Sequence, residues 1–556
     1  MKKILAIIIS LLTLCSVAAC SSPASVEEDF EEIDASKLPS KIDLRNFDGK
    51  NYVTPVKTQL FGDCWTFSLT GAAEISYLYE NNLGVPAGEV NDKVNFSEKY
   101  ISWYLFHGIT KDDVATGKVR ESQVGEGFDP SAAEKDNKFA VYIIGGPFVH
   151  DANLFGAGFG PVDESVSVKG ENPYAYNDSW TGEWTLPLNA EYRNAPAEAL
   201  MRSSKRLPSP ATLDKDGNYS LNVDGLNAIK YELSKGHGVS VALCASGSGF
   251  NSKHRAAYSS GTDKPDHAVT VIGYDDDYPK ENFTRKISGE EVEGSTPPEN
   301  GALILKNSWG LNTYDDDPDD GFVYISYYDH SLMSALSYVF DGGDSVKHSS
   351  PNYDQYDLLM TNWYGSTDYE NETKMANVFD AEEDESLYQI AYSTSQPKTE
   401  VTYEVYKDVE DGNPSSGTLL EKGVKKHTFA GFYKIDLSKE YELKKGEKYA
   451  VVLTMKREAY GEGGMTYTEV FPYSTEFFEG MTVTGVINKG ESYLYTDGKW
   501  KDMSDMKDSL AERAYNQCSE ELNSDKSLPD LKLKGKEDSF AVDNYPIKAI
   551  LASAND

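Results

Sequence analysis

The sequence predicts an α+β domain that is followed by an all-β sandwich. Residues 54–73 (TPVKTQLFGDCWTFSLTGAA) lead into a run with the pattern of a buried helix. Between residues 238 and 327, apolar stretches of β type follow one another. From about residue 341, short alternating strands are separated by turn signals at fairly even spacing, which is typical of a β-sandwich.

Length, composition and charge narrow the class of protein. A chain of 556 residues has room for two or three domains, and 39% hydrophobic with 12% aromatic residues fits folded domains rather than disorder. The formal net charge of -37 argues against binding nucleic acid, or an anionic membrane, through a basic surface. It names no partner.

The N-terminus predicts export. Lys2 and Lys3 precede an apolar run at residues 4–14, which is too short to span a bilayer and has the pattern of a secretory signal. The stretch VAAC at residues 17–20 resembles a bacterial lipobox, which implies that Cys20 carries lipid. An ordinary signal peptide with a chance cysteine is the alternative. We therefore expect a lipoprotein signal peptide at 1–20, an acidic tether at 21–37, and a lipid-anchored protein on the extracellular face of the bacterial membrane, with secretion as the other possibility.

The cysteines do not form a disulfide framework or a zinc pattern. Cys15 lies in the signal, and the folded part retains Cys64, Cys244 and Cys518, far apart in the chain. No spacing suggests a metal site, so neither metal nor cofactor is predicted. For the acidic run at residues 315–320, a solvated loop is favoured over a calcium site.

Cys64 is the first candidate for chemistry. It lies in a Gly-Asp-Cys-Trp stretch at the first turn of the predicted helix, where the helix dipole favours thiolate over thiol. That helix should end near residues 81–84. On this evidence alone, a small buried hydrophobe is the more common role of a lone cysteine.

The segments that follow the first helix are predicted from local sequence signals and contain no candidate nucleophile. Asn95 and Glu98 have the spacing of an N-cap and an acid three residues on, so a second helix should run through Phe106. Residues 107–137 are polar and are expected to form a surface insertion. The pair Gly145-Gly146 by itself predicts a turn.

Two later stretches supply partners for the thiol. His267 opens a β-type run, and a second strand delivers Asn307, with Trp309 two residues later. A thiol nucleophile needs a base, a group that orients the base, and a donor for the developing oxyanion. Cys64, His267, Asn307 and Gln59 supply one of each. An ordinary strand histidine and a turn asparagine are the alternatives.

In these stretches the chain resembles the papain family of cysteine peptidases. The resemblance covers about residues 38–342, and the matching stretches are 38–45, 53–59, 62–68, Gly145-Gly146, 266–269 with Gly273-Tyr274, and 306–310. It implies a two-lobed domain at 38–342, with a helical lobe and a β-barrel-like lobe.

The resemblance also implies the site and the reaction. Cys64 would be the nucleophile, His267 the general base and acid, Asn307 the orienting residue and Gln59 the oxyanion donor. Trp309 would shield the Asn307–His267 pair, and Gly145-Gly146 would line the substrate cleft. The implied activity is hydrolysis of peptide bonds in a protein or peptide substrate through a thioacyl enzyme.

Two residues depart from the family pattern. Gln59 stands five residues before Cys64, one fewer than usual, so its loop must be tighter. Asp63 occupies a position that is usually small and neutral. A carboxylate there could cap the helix or oppose formation of the thiolate.

The C-terminal part, residues 343–556, resembles the lectin-like β-sandwich of bacterial surface peptidases. The matching stretches are 353–356, 376–379, 443–449, 490–493 and Asp497-Gly498. One alternative function is an inactive peptidase fold that binds a surface glycan or protein through the sandwich; it predicts loss of a catalytic residue, and none is lost. A cell-wall amidase is the other alternative, and the Asn-Ser-Trp-Gly stretch argues against it.

Overall fold

The computed structural model describes residues 30–115, 119–146, 154–167, 187–193, 195–214, 218–246, 249–261, 264–310, 321–342, 372–394, 396–457, 480–512, 516 and 542–553. The predicted signal peptide with Cys20, residues 21–29 of the predicted tether, the acidic run at 315–320 and Cys518 lie outside these ranges. Among the described residues, no helix has the length and apolar character needed to cross a membrane.

The central helix of the peptidase-like part begins at Cys64 and is buried on nearly all sides. Small residues allow this close packing, since a Cβ at Gly71 would collide with Thr270 Oγ1 on the neighbouring strand. The second helix runs through Phe106 as expected, but its N-cap is Ser97 rather than Asn95, with Ser97 Oγ accepting from the Tyr100 amide at 3.1 Å. The helices in the described ranges are α1 (Cys64–Glu80), α2 (Glu98–Phe106), α3 (Lys111–Val114), α4 (Ser131–Asp136), α5 (Ala140–Ile143), α6 (Glu164–Ser167), α7 (Ala190–Arg193) and α8 (Val223–Ser234).

The strands in the described ranges differ in length from two residues to 13. They are β1 (Lys41–Asp43), β2 (Lys50–Asn51), β3 (Val85–Pro86), β4 (Gly127–Asp129), β5 (Ala199–Arg206), β6 (Ala211–Leu213), β7 (Tyr219–Leu221), β8 (Val239–Leu243), β9 (Phe250–Asn251), β10 (Ala256–Ala257), β11 (His267–Asp275), β12 (Lys286–Ile287), β13 (Glu290–Glu291), β14 (Ala302–Lys306), β15 (Phe322–Ser326), β16 (Met333–Gly342), β17 (Glu372–Asp380), β18 (Glu385–Thr394), β19 (Thr399–Lys407), β20 (Thr418–His427), β21 (Gly431–Leu443), β22 (Lys448–Arg457), β23 (Thr482–Thr484), β24 (Ser492–Thr496), β25 (Lys499–Asp502) and β26 (Ile547–Ser553).

Strand β11 is the centre of the barrel-like lobe. It pairs antiparallel with β8 and with β14, so that His267 lies opposite Leu243 and Thr270 lies opposite Lys306. Helix α1 packs against the same strand, where Ser68 Oγ donates to the carbonyl oxygen of Val269 at 2.6 Å. This contact joins the helical lobe to the barrel-like lobe directly beside the predicted site.

One sheet runs from the barrel-like lobe into the C-terminal part. Its order over the described residues is β26-β18-β21-β5-β16-β8-β11-β14-β15-β10-β9, with β1 added at β11. The junction between the two parts is the contact of β21 with β5, where Tyr433 lies opposite Ser203. A second sheet, β20-β19-β22-β17-β24-β25, packs Val401, Val405 and Leu453 against the end of the first sheet. Strand β16 ends at Gly342, the last described residue before Glu372, so the predicted domain boundary at residue 342 stays a prediction.

The expectation of a surface insertion at residues 107–137 was wrong. Strand β4 pairs with β23 of the C-terminal part, and Phe128 and Glu126 nearby are buried. Arg120 also reaches across, with its Nη1 donating to Glu382 Oε1 at 2.7 Å. The polar composition suggested a solvated loop because the partner strand lies far away in the sequence.

Part of the predicted tether contacts the folded chain. The carbonyl oxygen of Glu31 accepts from Thr428 Oγ1 at 3.0 Å, and its carboxylate pairs with Lys235. Residues 35–37 form a single 3₁₀ turn that begins at Asp34, whose carboxylate accepts from the Ser36 amide.

The junction between the two parts of the sheet depends on a close approach of two backbones. Gly431 has a φ of 155°, and a Cβ there would overlap the carbonyl oxygen of Ser204 on β5. We expect Gly431→Ala to destabilise the chain by about 2 kcal/mol or more, because neither backbone can move without breaking the sheet. Chemical denaturation monitored by circular dichroism measures the change.

Gly412→Ala is the matched control for this substitution. Gly412 has a φ of 76°, but no atom lies within 4 Å of the Cβ that alanine would add. It therefore carries the strain of a positive φ without the overlap, and about 1 kcal/mol of destabilisation is expected. Equal losses in the two variants would show that the β5–β21 approach is not the constraint.

Candidate active site

Cys64 is the first residue of α1 and lies where the two lobes meet. Its thiol is near the backbone amide of Ala268, the residue that follows His267 in β11. Burial raises the pKa of the Cys64 thiol to about 11; the neighbouring Asp63 also raises it, while the amides of Ala268 and Trp65 lower it. Burial therefore opposes the stabilisation of the thiolate that the sequence led us to expect from the helix dipole.

His267 and Asn307 are joined by a hydrogen bond. His267 Nε2 lies 2.8 Å from Asn307 Oδ1, and both side chains are buried. Because an amide oxygen can only accept, this bond places a hydrogen on Nε2 and leaves Nδ1 as the basic position. Burial lowers the pKa of His267, although Asn307 and Asp266 oppose the shift. The ring is therefore neutral at pH 7.

Trp309 covers the His267–Asn307 pair. Its ring stacks on the imidazole with centroids 4.7 Å apart and planes 25° apart, and 39% of the Trp309 surface is exposed. Gly310 next to it has a φ of 78°, and the segment is tied to the other lobe by a bridge between Thr58 and Trp309. The indole thus lies between the hydrogen bond and the solvent.

Gln59 is held by the loop that leads to Cys64 and by Ser308. The backbone amide of Gln59 donates to the carbonyl oxygen of Ser308 at 2.7 Å. Its side-chain Oε1 accepts from Ser308 Oγ at 2.6 Å. Its Nε2 donates to the carbonyl oxygen of Phe61 at 2.8 Å. This last bond closes the loop that is one residue shorter than in the papain pattern, and it uses one of the two Nε2 hydrogens.

The glycine pair lies against the start of α1. Gly145 has a φ of 77°, and a Cβ on Gly146 would approach the ring of Trp65 to 2.7 Å. The structure thus brings the pair close to the residue that follows Cys64. In the same way, Cys64 lies beside the residue that follows His267, and Gln59 lies beside the residue that follows Asn307.

Sequence reasoning missed the part played by Ser308. Besides holding Gln59, its amide donates to Asn307 Oδ1 at 2.8 Å, so one residue links the Gln59 loop to the His267–Asn307 pair. The signal was present, since Ser308 lies inside the Asn-Ser-Trp-Gly stretch, but its partner Gln59 is distant in the sequence.

Asp63 does not cap α1, contrary to one of the two expectations for it. The side chain is fully buried, and neither carboxyl oxygen has a hydrogen-bond partner in the described part of the chain. Burial raises the pKa of Asp63 to about 8; Glu98 adds to the rise, and the amides of Asp63 and Phe61 oppose it. At neutral pH the group is therefore protonated, and the charge that would oppose a thiolate is absent.

Both parts of the chain are similar to known proteins. Residues 353–516 match the family described as a lectin-like domain. A clostridial cysteine protease, a variant of Cwp84 after propeptide cleavage, is 19% identical, with 93% of this chain and 100% of that chain covered and a TM-score of 0.61. The cysteine protease and lectin-like domains of Cwp84, a surface layer associated protein of Clostridium difficile, are 20% identical, with 93% and 89% covered and a TM-score of 0.59. No curated protein matches the chain.

These similarities establish the fold. The chain has a papain-like two-lobed peptidase fold followed by a lectin-like β-sandwich, as the sequence predicted.

Asp63 should control the pH dependence of Cys64 only in alkaline solution. Below about pH 8 the Asp63 carboxyl is neutral, so Cys64 should be alkylated at the same rate in the Asp63→Asn variant and in the unchanged chain. Above it, the charge disfavours the thiolate in the unchanged chain, so the alkylation profile of the variant should move to lower pH by about one unit. The rate is read at Cys64 itself by mass spectrometry of the peptide.

Thermal unfolding provides the second measurement for Asp63→Asn. A carboxyl whose pKa is raised in the folded state makes the folded protein less stable as the pH rises from about 4 to about 8, because the carboxyl releases its proton at lower pH in the unfolded chain. Asparagine has no proton to release, so the variant should gain stability relative to the unchanged chain across that window. Parallel curves across it would contradict the buried, protonated carboxyl.

Proposed function

We propose that the chain is a cysteine endopeptidase that hydrolyses peptide bonds through a thioacyl enzyme. The observation that supports this most directly is the 2.8 Å bond from His267 Nε2 to Asn307 Oδ1, next to a cysteine that opens a buried helix. A neutral imidazole held by an amide oxygen is suited to take one proton at Nδ1 and later return it.

The reaction follows from the two neutral groups. Cys64 Sγ attacks the carbonyl carbon of the scissile bond while His267 Nδ1 takes the thiol proton. The C–N bond then breaks, and the imidazolium gives that proton to the leaving amine. Water attacks the thioester with His267 as base, and the acid product leaves as the thiol is restored.

Gln59 and the Cys64 amide are the proposed donors to the oxyanion. The second Nε2 hydrogen of Gln59 is available for this role once the first is bonded to Phe61. Asn307 is a positioning residue, because it fixes the plane of the imidazole. Trp309 protects that bond from water, and the Gly145-Gly146 loop would let a substrate backbone approach the cleft.

A second candidate is an inactive peptidase fold that binds a surface glycan or protein through its sandwich. The lectin-like match at residues 353–516 supports a binding role for that part. It does not require loss of activity, since the four proposed catalytic residues are all present in the sequence. We propose the sandwich as a module that brings the peptidase to cell-surface material.

We also propose that the protein is held at the outer face of a bacterial membrane by lipid on Cys20. The support is the VAAC stretch after a short apolar run, and a similar protein is described as surface-layer associated.

Cys64→Ala should reduce cleavage of a denatured protein substrate at least about a thousandfold, because it removes the sulfur that is proposed to form the thioester. An epoxide inhibitor of papain-type enzymes should add its mass to the Cys64 peptide of the unchanged chain. Cys518→Ala is the control, and it should cleave and be labelled normally.

Two results would contradict the peptidase proposal. One is substantial cleavage by a purified Cys64→Ala protein. The other is a complete absence of both cleavage and epoxide labelling in the unchanged chain, which would favour the binding protein.

Cys20→Ser should release the protein from the membrane fraction of the producing bacterium into the medium, because a hydroxyl cannot carry the thioether-linked lipid. Immunoblots of the two fractions measure the distribution. Cys15→Ser, which changes a cysteine inside the predicted signal, is the control and should stay with the membrane. Unchanged fractionation of Cys20→Ser would overturn the anchor.

A further inference from the structure

A cavity of about 160 Å³ enters the barrel-like lobe beside His267. It lies between β8, β10, β11, β14 and β15, and most of its wall is apolar. The side chains that give this character are Leu243, Phe250, Val269, Leu305 and Val323. His267, Asn307 and Trp309 form part of its rim, so the cavity opens directly into the proposed active site.

The cavity lies on the opposite face of β11 from α1. Successive side chains of a strand point to opposite faces, so His267 and Val269 share the face that lines the cavity. Thr270 points the other way, and its Oγ1 donates to the carbonyl oxygen of Ser68 in α1 at 2.9 Å. The cavity is therefore adjacent to the imidazole on the barrel side, whereas Cys64 approaches from the helical lobe.

This position assigns the cavity to one side of the scissile bond. The acyl part of a substrate becomes attached to Cys64, but the leaving amine must lie close enough to His267 to receive its proton. We propose that the cavity binds the side chain of the residue on the amine side of the scissile bond, and that it selects a bulky apolar side chain there. This inference rests on the proposed peptidase function and names its substrate preference.

The polar groups of the cavity wall are already engaged. Asp329 Oδ1 accepts from the Ser331 amide at 2.9 Å, and its Oδ2 accepts from the Ser259 amide at 2.7 Å. The amide of Cys244 donates to Ser331 Oγ at 2.8 Å. These bonds hold the loops around the cavity and leave an apolar surface. A dry cavity of about this size accepts a benzene-sized group, which matches leucine, methionine or phenylalanine.

Acyl transfer isolates this side of the site. A peptide ester acylates Cys64, and an added amino-acid amide then competes with water for the thioester. The amine nitrogen attacks the thioester carbon, the C–S bond breaks, and His267 takes a proton from the amine and passes it to the sulfur. The new peptide bond is formed by the reverse of the step that expels a leaving amine, so the amide occupies the leaving-group position.

The measured quantity is the ratio of transfer to hydrolysis for each amide. Leucine amide and phenylalanine amide should exceed glycine amide at least about tenfold, which is the size of discrimination that an apolar pocket achieves. Glutamate amide should transfer no better than glycine amide, because the wall offers no cationic partner among its described residues.

A variant that fills the cavity tests its role. Ala257 lines the cavity and is half-buried, and Ala257→Leu should reduce the preference for phenylalanine amide over glycine amide about tenfold. Because this preference is a ratio within one protein, it does not depend on how much active enzyme a preparation contains. Ala87→Leu, at an exposed position in the loop after β3, is the matched control and should keep the ratio of the unchanged chain.

The outcomes separate this inference from the proposed function. If no thioester forms, so that neither ester hydrolysis nor transfer is seen, both fail. If transfer occurs equally well for glycine and phenylalanine amides, or if Ala257→Leu keeps the ratio of the Ala87→Leu control, the peptidase proposal stands and the leaving-group pocket is overturned.

Discussion

A buried group of four charges fixes the two sides of the cleft to each other. Lys57 Nζ lies 2.9 Å from Glu74 Oε1 and 2.7 Å from Glu98 Oε1. Lys306 Nζ donates to Thr54 Oγ1 at 2.6 Å and lies 3.8 Å from Glu74 Oε2. All four charged side chains are at most 6% exposed. Lys57 and Lys306 thus compensate the charge on Glu74 where water cannot, whereas burial raises the pKa of Glu98 although Lys57 opposes that shift.

The position of this group explains why the site is assembled. Lys57 is two residues before Gln59, Lys306 is the residue before Asn307, and Glu74 lies in the helix that begins at Cys64. Burial disfavours the charge on Glu74, but Lys57 and Lys306 lower its pKa below the usual value. Burial also lowers the pKa of Lys306 to about 8. Removing one partner would leave a buried charge uncompensated, at a cost of about 3 to 5 kcal/mol, and would release the segments that carry the site.

The sequence predicted the parts of the fold that depend on local pattern. The Cys64 helix, the helix that ends at Phe106 and the strands that begin at His267 and end before Asn307 follow from periodicity and capping, and the motif order identified the papain-like fold. The buried charges were not predicted, because Lys57 and Glu74 have ordinary apolar neighbours and nothing local indicates a partner. The pairing of β4 with β23 and the sheet shared through β5 and β21 were missed for the same reason. Contacts between distant segments leave no periodic signal.

The electrostatics at the start of α1 depend on burial rather than on the helix dipole alone. The positive end of a helix is worth at most about 2 kcal/mol to an anion, and burial has already raised the pKa of Cys64 to about 11. An ionised Asp63 would cancel part of the stabilisation that the positive end of α1 gives to a thiolate at Cys64. Because the carboxyl is buried without a partner in the described part of the chain, its proton stays on at neutral pH. The unusual residue thereby leaves the helix terminus positive, and in the proposed reaction the removal of the thiol proton by His267 supplies the remaining difference.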